Sequence, residues 1–200
     1  FQAFANFRKI LDKHKVRRYR AVATSATRNA YNRKVLLDRV RAKTGIELEV
    51  IDGIEEARLV RTAVLGSLGA DLVPRVILDL GGGSLEISFL RGRAVEQSFT
   101  LPIGTVRLME AFGIDGPIGD LEFGAMADQV DDVLEDILPP RSAAVEGLAV
   151  VCGGNAEALA QLTPAEPLRG VHTLDLRRLR DFLPTLAAMD VERRRRTFEV

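Results

Sequence analysis

Apolar and polar positions recur along this chain in two periods, and the switches between them mark its elements. Phe4, Phe7 and Leu11 step by three and four, which predicts an amphipathic helix near the start. A basic segment follows (Lys13, Lys15, Arg17, Arg18, Arg20), then Ala21-Val22-Ala23-Thr24, which reads as a short buried strand. Residues 29–43 read as one helix closed by Gly45, where a left-handed residue commonly ends helices. A strand over 47–51 and a helix over about 53–68 come next, and 69–74 reads as a hinge segment. Beyond it lie a strand over 75–80, a glycine turn, a strand over 85–90, the turn Arg91-Gly92 and a strand over 94–101. A helix follows Gly104. Phe123, Met126, Val130, Val133 and Ile137 again step by three and four, so 120–138 is an amphipathic helix stopped by Pro139-Pro140. A strand over 148–151 runs into Gly153-Gly154-Asn155, and 156–162, 174–189 and 191–197 are helical. Strands alternating with helices, with one hairpin among them, predict an α/β fold with a mixed sheet. Residues 1–74 and 75–200 read as two units, the first with only two clear strands.

The stretch Ile77-Leu78-Asp79-Leu80-Gly81-Gly82-Gly83-Ser84-Leu85-Glu86 carries the most chemistry. An apolar strand ends on a carboxylate, and a second strand returns with another. Three glycines remove every Cβ from the turn, so backbone N–H groups can crowd around an anion. Ser84 adds a hydroxyl. Alternation sends Leu85 and Ile87 to one face and Glu86 and Ser88 to the other. Phosphate donors and two hard-metal carboxylates thus converge on one hairpin, the layout of a magnesium–phosphate site. The plainer reading is a tight hairpin turn. No Gly-Lys-Ser/Thr follows, and a strand stands where a dinucleotide fingerprint needs a helix.

Composition narrows the classes. The 200 residues are 46% hydrophobic and 28% charged, enough for a real core. Lys+Arg and Asp+Glu balance at 28 each, so net charge points to neither a nucleic-acid nor a membrane partner. The one cysteine, Cys152, rules out an internal disulfide and fits a reducing, cytoplasmic setting. No apolar run approaches the roughly 20 residues of a membrane span. The start at Phe1 reads as a chain entered in the middle.

Three further segments bear on chemistry. Asp52 and Glu55 form a capping box at the start of a helix, which leaves Glu56 unconsumed as a general-base candidate or a solvated helix-start acid. Thr24-Ser25-Ala26-Thr27-Arg28 is a hydroxyl-rich loop that either holds phosphate through Arg28 or simply caps a helix. Gly153-Gly154 lead into a helix capped by Asn155. The arginine run 193–196 is a solvated face or a landing patch for a polyanion, and His14 and His172 have no metal-ligand spacing.

In order, these motifs resemble the exopolyphosphatase / guanosine-pentaphosphate phosphohydrolase family. The matching pieces are 22–30 with Asn32, 53–59, 78–86, Leu101-Pro102-Ile103-Gly104-Thr105-Val106-Arg107-Leu108, and Gly153-Gly154-Asn155. The resemblance implies two ribonuclease-H-like domains of the actin-like ATPase superfamily with a cleft between them. It implies Mg²⁺-dependent removal of a terminal phosphate from polyphosphate or guanosine pentaphosphate. In that scheme Glu56 is the base, Asp79 and Glu86 organise Mg²⁺ and the water, and Gly81, Gly82, Gly83, Ser84, Arg28, Gly153 and Gly154 hold phosphate. A homodimer is one assembly it suggests. The family's first phosphate loop, an Asp-x-Gly-Ser-Asn-Ser type segment, is absent, as is the end of the second domain. The expectation is a fragment, weakly active or inactive alone. Leu85 stands where many relatives carry Thr, and Val151-Cys152 replace a frequent Gly-Thr. The competing functions are an ATP-binding kinase or ATPase of the same superfamily and a non-catalytic polyphosphate or alarmone sensor.

Overall fold

The computed structural model describes residues 1–138 and 147–198, so the helix stop expected at Pro139-Pro140 lies outside the described residues. The chain runs α1 (Gln2–Lys13), β1 (Ala21–Ala23), α2 (Ser25–Asn29), α3 (Arg33–Thr44), β2 (Leu48–Val50) and α4 (Gly53–Ser67). It continues with β3 (Pro74–Leu80), β4 (Leu85–Arg91), β5 (Ala94–Leu101), α5 (Thr105–Ala111) and α6 (Asp120–Glu135). The last elements are β6 (Leu148–Cys152), α7 (Gly154–Leu162), α8 (Leu176–Ala187) and α9 (Val191–Phe198). The fold is α/β with a mixed sheet, as the alternation of periods predicts.

Two sheets carry the site. β1 and β2 pair in parallel, and a four-stranded sheet has the order β5-β4-β3-β6. Within it β3 and β4 are antiparallel, as are β4 and β5, whereas β6 returns parallel to β3. Register puts Asp79 directly opposite Glu86 on one side and Cys152 on the other. Leu85, Ile87 and Ile103 form the buried core, closed by Val130, Val133, Leu134 and Ile137 at the end of α6. The predicted stripe on α6 therefore packs its second half, partly buried, on this core, while Phe123 stays 39% exposed.

The opposite face of β4 and β5 receives α4. Gly53 packs directly on the Thr100 side chain, where a Cβ would collide. At the other end of the helix, Arg93 donates to Leu65 O at 2.5 Å and to Gly69 O at 3.0 Å. The sheet thus grips α4 at both ends.

Three sequence expectations change. The single helix over 29–43 is two, because Ala30 turns extended (φ −71°, ψ 126°) after α2. The hydroxyl-rich loop is itself the short helix α2. Val22 on β1 is 37% exposed rather than buried. Gly45 does end α3 in the left-handed region, at φ +67°.

Candidate active site

The glycine turn is shaped from behind by α5. Gly81 O accepts from Thr105 N at 3.1 Å, Gly82 O from Arg107 N at 3.0 Å, and Gly83 O from Arg107 Nε at 3.0 Å. A trans peptide points its N–H opposite to its C=O. Tying three carbonyls to α5 therefore turns the N–H groups of Gly82, Gly83 and Ser84 away from it. None of the three has a backbone acceptor among the described residues. Convergent N–H groups without partners are an anion cradle.

The glycines are needed for approach rather than for left-handed backbone. A Cβ on Gly83 would stand 2.6 Å from Ser25 Oγ, and one on Gly82 would stand 3.0 Å from Val106. Gly104 is as tight, since its Cβ would meet the carbonyl carbon and oxygen of Gly82 at 2.5 Å. Sequence reasoning took 101–108 as a family motif only; its physical role is to brace the turn.

Two carboxylates flank the cradle. Glu86 is 3% exposed, and its Oε1 is buried without a hydrogen-bond partner among the described residues. Burial pushes its carboxyl up to about 7; the charges of Glu56 and Asp79 add to this, while Ser84 and Arg28 oppose it. Asp79 is raised too, by burial and then by the charge of Glu56. Like charges directly opposite each other on neighbouring strands repel, so this pair calls for a cation. Among the described residues no three His, Cys, Asp or Glu side chains form a metal cage.

Glu56 and Arg28 close the other side. Arg28 Nη1 donates to Ile51 O at 2.8 Å and to Glu56 Oε2 at 3.1 Å. Glu56 is 14% exposed and paired, not unengaged as its place outside the capping box suggested. The cap itself forms by half: Asp52 Oδ1 accepts from Glu55 N at 2.8 Å, and the Glu55 carboxylate goes instead to Arg20 and Arg58. Arg20 also binds Glu49, so its charge, though exposed, is already paired.

Gly153 lies at the end of β6 with φ +104°, and a Cβ there would stand 2.7 Å from Leu80 O and 3.6 Å from Asp79 Oδ1. Gly153, not Asn155, is the N-cap of α7. Asn155 Nδ2 reaches Thr105 Oγ1 at 3.4 Å, linking the starts of α7 and α5. Gly154 faces open space. Cys152, beside Asp79, is raised by burial and by that carboxylate, so it is a protonated neighbour rather than a nucleophile.

The structure thus brings Glu56, Arg28, Asp79, Glu86, the glycine turn and Gly153 into one region. The arginine run 193–196 belongs to α9, where Arg194 bonds Leu186 O and Arg195 pairs with Glu192. No helix among the described residues is long and apolar enough to cross a membrane.

Known proteins resemble this chain over more than half of its length. Exopolyphosphatase 1 of Mycobacterium leprae is 35% identical over 178 residues, covering 85% of this chain and 52% of that protein. Exopolyphosphatase 2 of Mycobacterium tuberculosis is 41% identical over 113 residues, 54% of this chain and 35% of the other. The chain spans about half the length of the first of these relatives. The crystal structure of the Aquifex aeolicus member of the Ppx/GppA protein family superposes with a TM-score of 0.76 at 31% identity, over 99% of this chain and 64% of that one. An exopolyphosphatase structure from Cytophaga hutchinsonii gives 0.72 at 30% identity, over 80% and 52%. These neighbours have the actin-like ATPase fold, and the Ppx/GppA phosphatase family model matches residues 1–200, so the chain belongs to that family.

Proposed function

We propose that the protein is a Mg²⁺-dependent phosphohydrolase that releases terminal orthophosphate from inorganic polyphosphate, with guanosine pentaphosphate as the alternative substrate. The observation that carries the reading is the cradle: among the described residues, three N–H groups of the turn lack backbone acceptors and a buried oxygen of Glu86, two residues after the turn's Ser84, lacks a partner. The first suits an anion and the second a cation. A phosphate with its metal satisfies both.

Asp79 and Glu86 would hold the ion. Mg²⁺ commonly takes one or two protein carboxylates and completes its shell with water and phosphate oxygens, so a two-acid donor set fits it. The chemistry it supplies when bound is charge neutralisation on the transferring phosphate. The chain's own groups do the rest. The N–H groups of Gly82, Gly83 and Ser84 fix the terminal phosphate by its oxygens. Glu56 accepts a proton from a water aligned behind the phosphorus, the water oxygen bonds to phosphorus, and the bond to the leaving phosphate oxygen breaks. Arg28, anchored on Ile51 O, sets the direction of the Glu56 carboxylate. Glu56 then returns its proton to solvent.

Orthophosphate release from long-chain polyphosphate and from guanosine pentaphosphate, with and without Mg²⁺, tests this in the whole protein with Glu56→Gln alongside. Release that needs Mg²⁺ and falls at least about a hundredfold in the variant, the scale of a lost general base, is expected. Turnover of ATP with neither substrate cleaved would move the protein to the kinase or ATPase class. Tight polyphosphate binding that ignores Mg²⁺, with no phosphate released, would make it a sensor.

A further inference from the structure

A buried hydroxyl lying against the glycine turn takes no part in that chemistry. Ser25, the first residue of α2, is 6% exposed. Its Oγ accepts from Asn29 Nδ2 at 3.3 Å, the one hydrogen bond it makes among the described residues. The same oxygen lies against Gly83, within 2.6 Å of where a Cβ would stand. A hydroxyl that accepts from an amide still has its own proton to give. Asn29 fills the acceptor side, so it also limits where that proton can point. Buried donors are rarely left unspent, and this one lies against the glycine turn.

We infer that Ser25 is a phosphate-binding residue, its hydroxyl donating to an oxygen of the phosphate seated on the N–H groups of Gly82, Gly83 and Ser84. This rests on the phosphohydrolase reading of the same turn and adds a donor from the opposite wall. Arg28 lies three residues on, so one short helix presents both groups on one side. Ser25 touches the turn while Arg28 holds Glu56. The helix therefore ties the place of the phosphate to the place of the base. Phosphate oxygens are pure acceptors, so an N–H cradle and a hydroxyl donor are the same kind of contact from two sides.

The probe is inorganic orthophosphate with Mg²⁺, titrated calorimetrically into the full chain, with KM and kcat for polyphosphate measured beside it. Ser25→Ala removes the donor, and Ser25→Cys keeps nearly the same bulk with a far weaker one. Both are expected to weaken orthophosphate binding about tenfold and raise KM by a similar factor, the scale of one hydrogen bond to a charged group, with kcat less affected. Asn29→Ala should move binding the same way by less. Unchanged affinity in Ser25→Ala overturns the inference. So does affinity lost in Ser25→Ala but kept in Ser25→Cys, which would make Ser25 a packing residue. Should Ser25→Ala fail to fold, Ser25→Cys and Asn29→Ala decide the matter in the same terms. A wild type that neither binds orthophosphate nor releases it defeats the phosphohydrolase reading instead. An active wild type beside a normal Ser25→Ala defeats only Ser25.

Discussion

The two sides of the site treat their carboxylates in opposite ways. On the α2/α4 wall Glu49, Glu55 and Glu56 each have a guanidinium partner. Glu55 is held down to about 2 by hydrogen bonds from Arg58 and Arg20, Glu49 is bound by Arg20, and Glu56 pairs with Arg28. On the β3/β4 wall Glu86 is driven up to about 7 and Asp79 is raised beside it, and neither is ion-paired among the described residues. The frames differ in the same sense. The α2/α4 wall is tied by side chains at its surface, whereas the glycine turn is fixed by backbone carbonyls bound to α5. Paired acids stabilise a scaffold; buried acids left facing each other cost stability until something positive arrives. The contrast separates acids paired within the protein from buried acids left without an ion pair among the described residues.

The largest effect should come from breaking the backbone frame. Gly104→Ala places a Cβ 2.5 Å from the carbonyl of Gly82, and neither partner is a flexible side chain that can swing aside. The turn must then leave α5, which releases the carbonyls and scatters the N–H groups. Denaturant unfolding should show a loss of about 3 kcal/mol, the upper range for overpacking, and phosphate release should vanish with it. Near-wild-type stability would mean that α5 is a tenant of the turn rather than its brace.

Next in size is the unpaired acid. Glu86 titrates near 7 when folded and near 4.5 when unfolded, so between those values the folded chain holds the extra proton. Without Mg²⁺, stability should therefore fall as pH rises from 4.5 through 7 and stay low above it. Such a shift carries up to about 3 kcal/mol, of which about 2 should be measurable once local rearrangement is allowed. Glu86→Gln abolishes that fall, so the difference between its pH–stability profile and that of wild type isolates the group. Mg²⁺ should restore wild-type stability above pH 7 and do nothing for the variant. Parallel profiles would place the Glu86 charge in solvent contact and remove the argument for a cation.

How much of this contrast can be read from residues alone follows from the range of the forces. The β3/β4 wall is local: Asp79, the glycines and Glu86 span eight positions, and the period-two pattern pairs them in the observed register. Ala94–Leu101 is legible for the same reason. The α2/α4 wall is assembled from afar. Arg28 meets Glu56 across 28 positions, and no local pattern announces a pair like that. The same remote bonds explain the broken helix. No Gly or Pro stands at 30–32, yet the chain turns there, with Arg28 reaching for Ile51 O and Arg33 Nη1 taking Arg28 O at 3.2 Å. Tyr31, left 99% exposed at the break, has nothing to pack on. Asn155 misled for a related reason: capping preference favours it, but the left-handed Gly153 closes on Leu80 O and takes the cap position.

The smallest effect tests what holds the α2/α4 wall. Asp52 Oδ1 caps α4 through Glu55 N, and Asp52→Ala should cost about 1 kcal/mol in unfolding experiments. Activity should scarcely change. Gly53 is already pinned on Thr100, and Glu56 takes its direction from Arg28, which is itself anchored on Ile51 O rather than on the first turn of the helix. The cap stabilises the helix without aiming Glu56. If Asp52→Ala instead lowers kcat as much as it lowers stability, the helix start positions Glu56, and the Arg28 pair is a consequence of that placement. The side-chain wall would then be backbone-framed like its opposite, and the difference between the two would reduce to their charge.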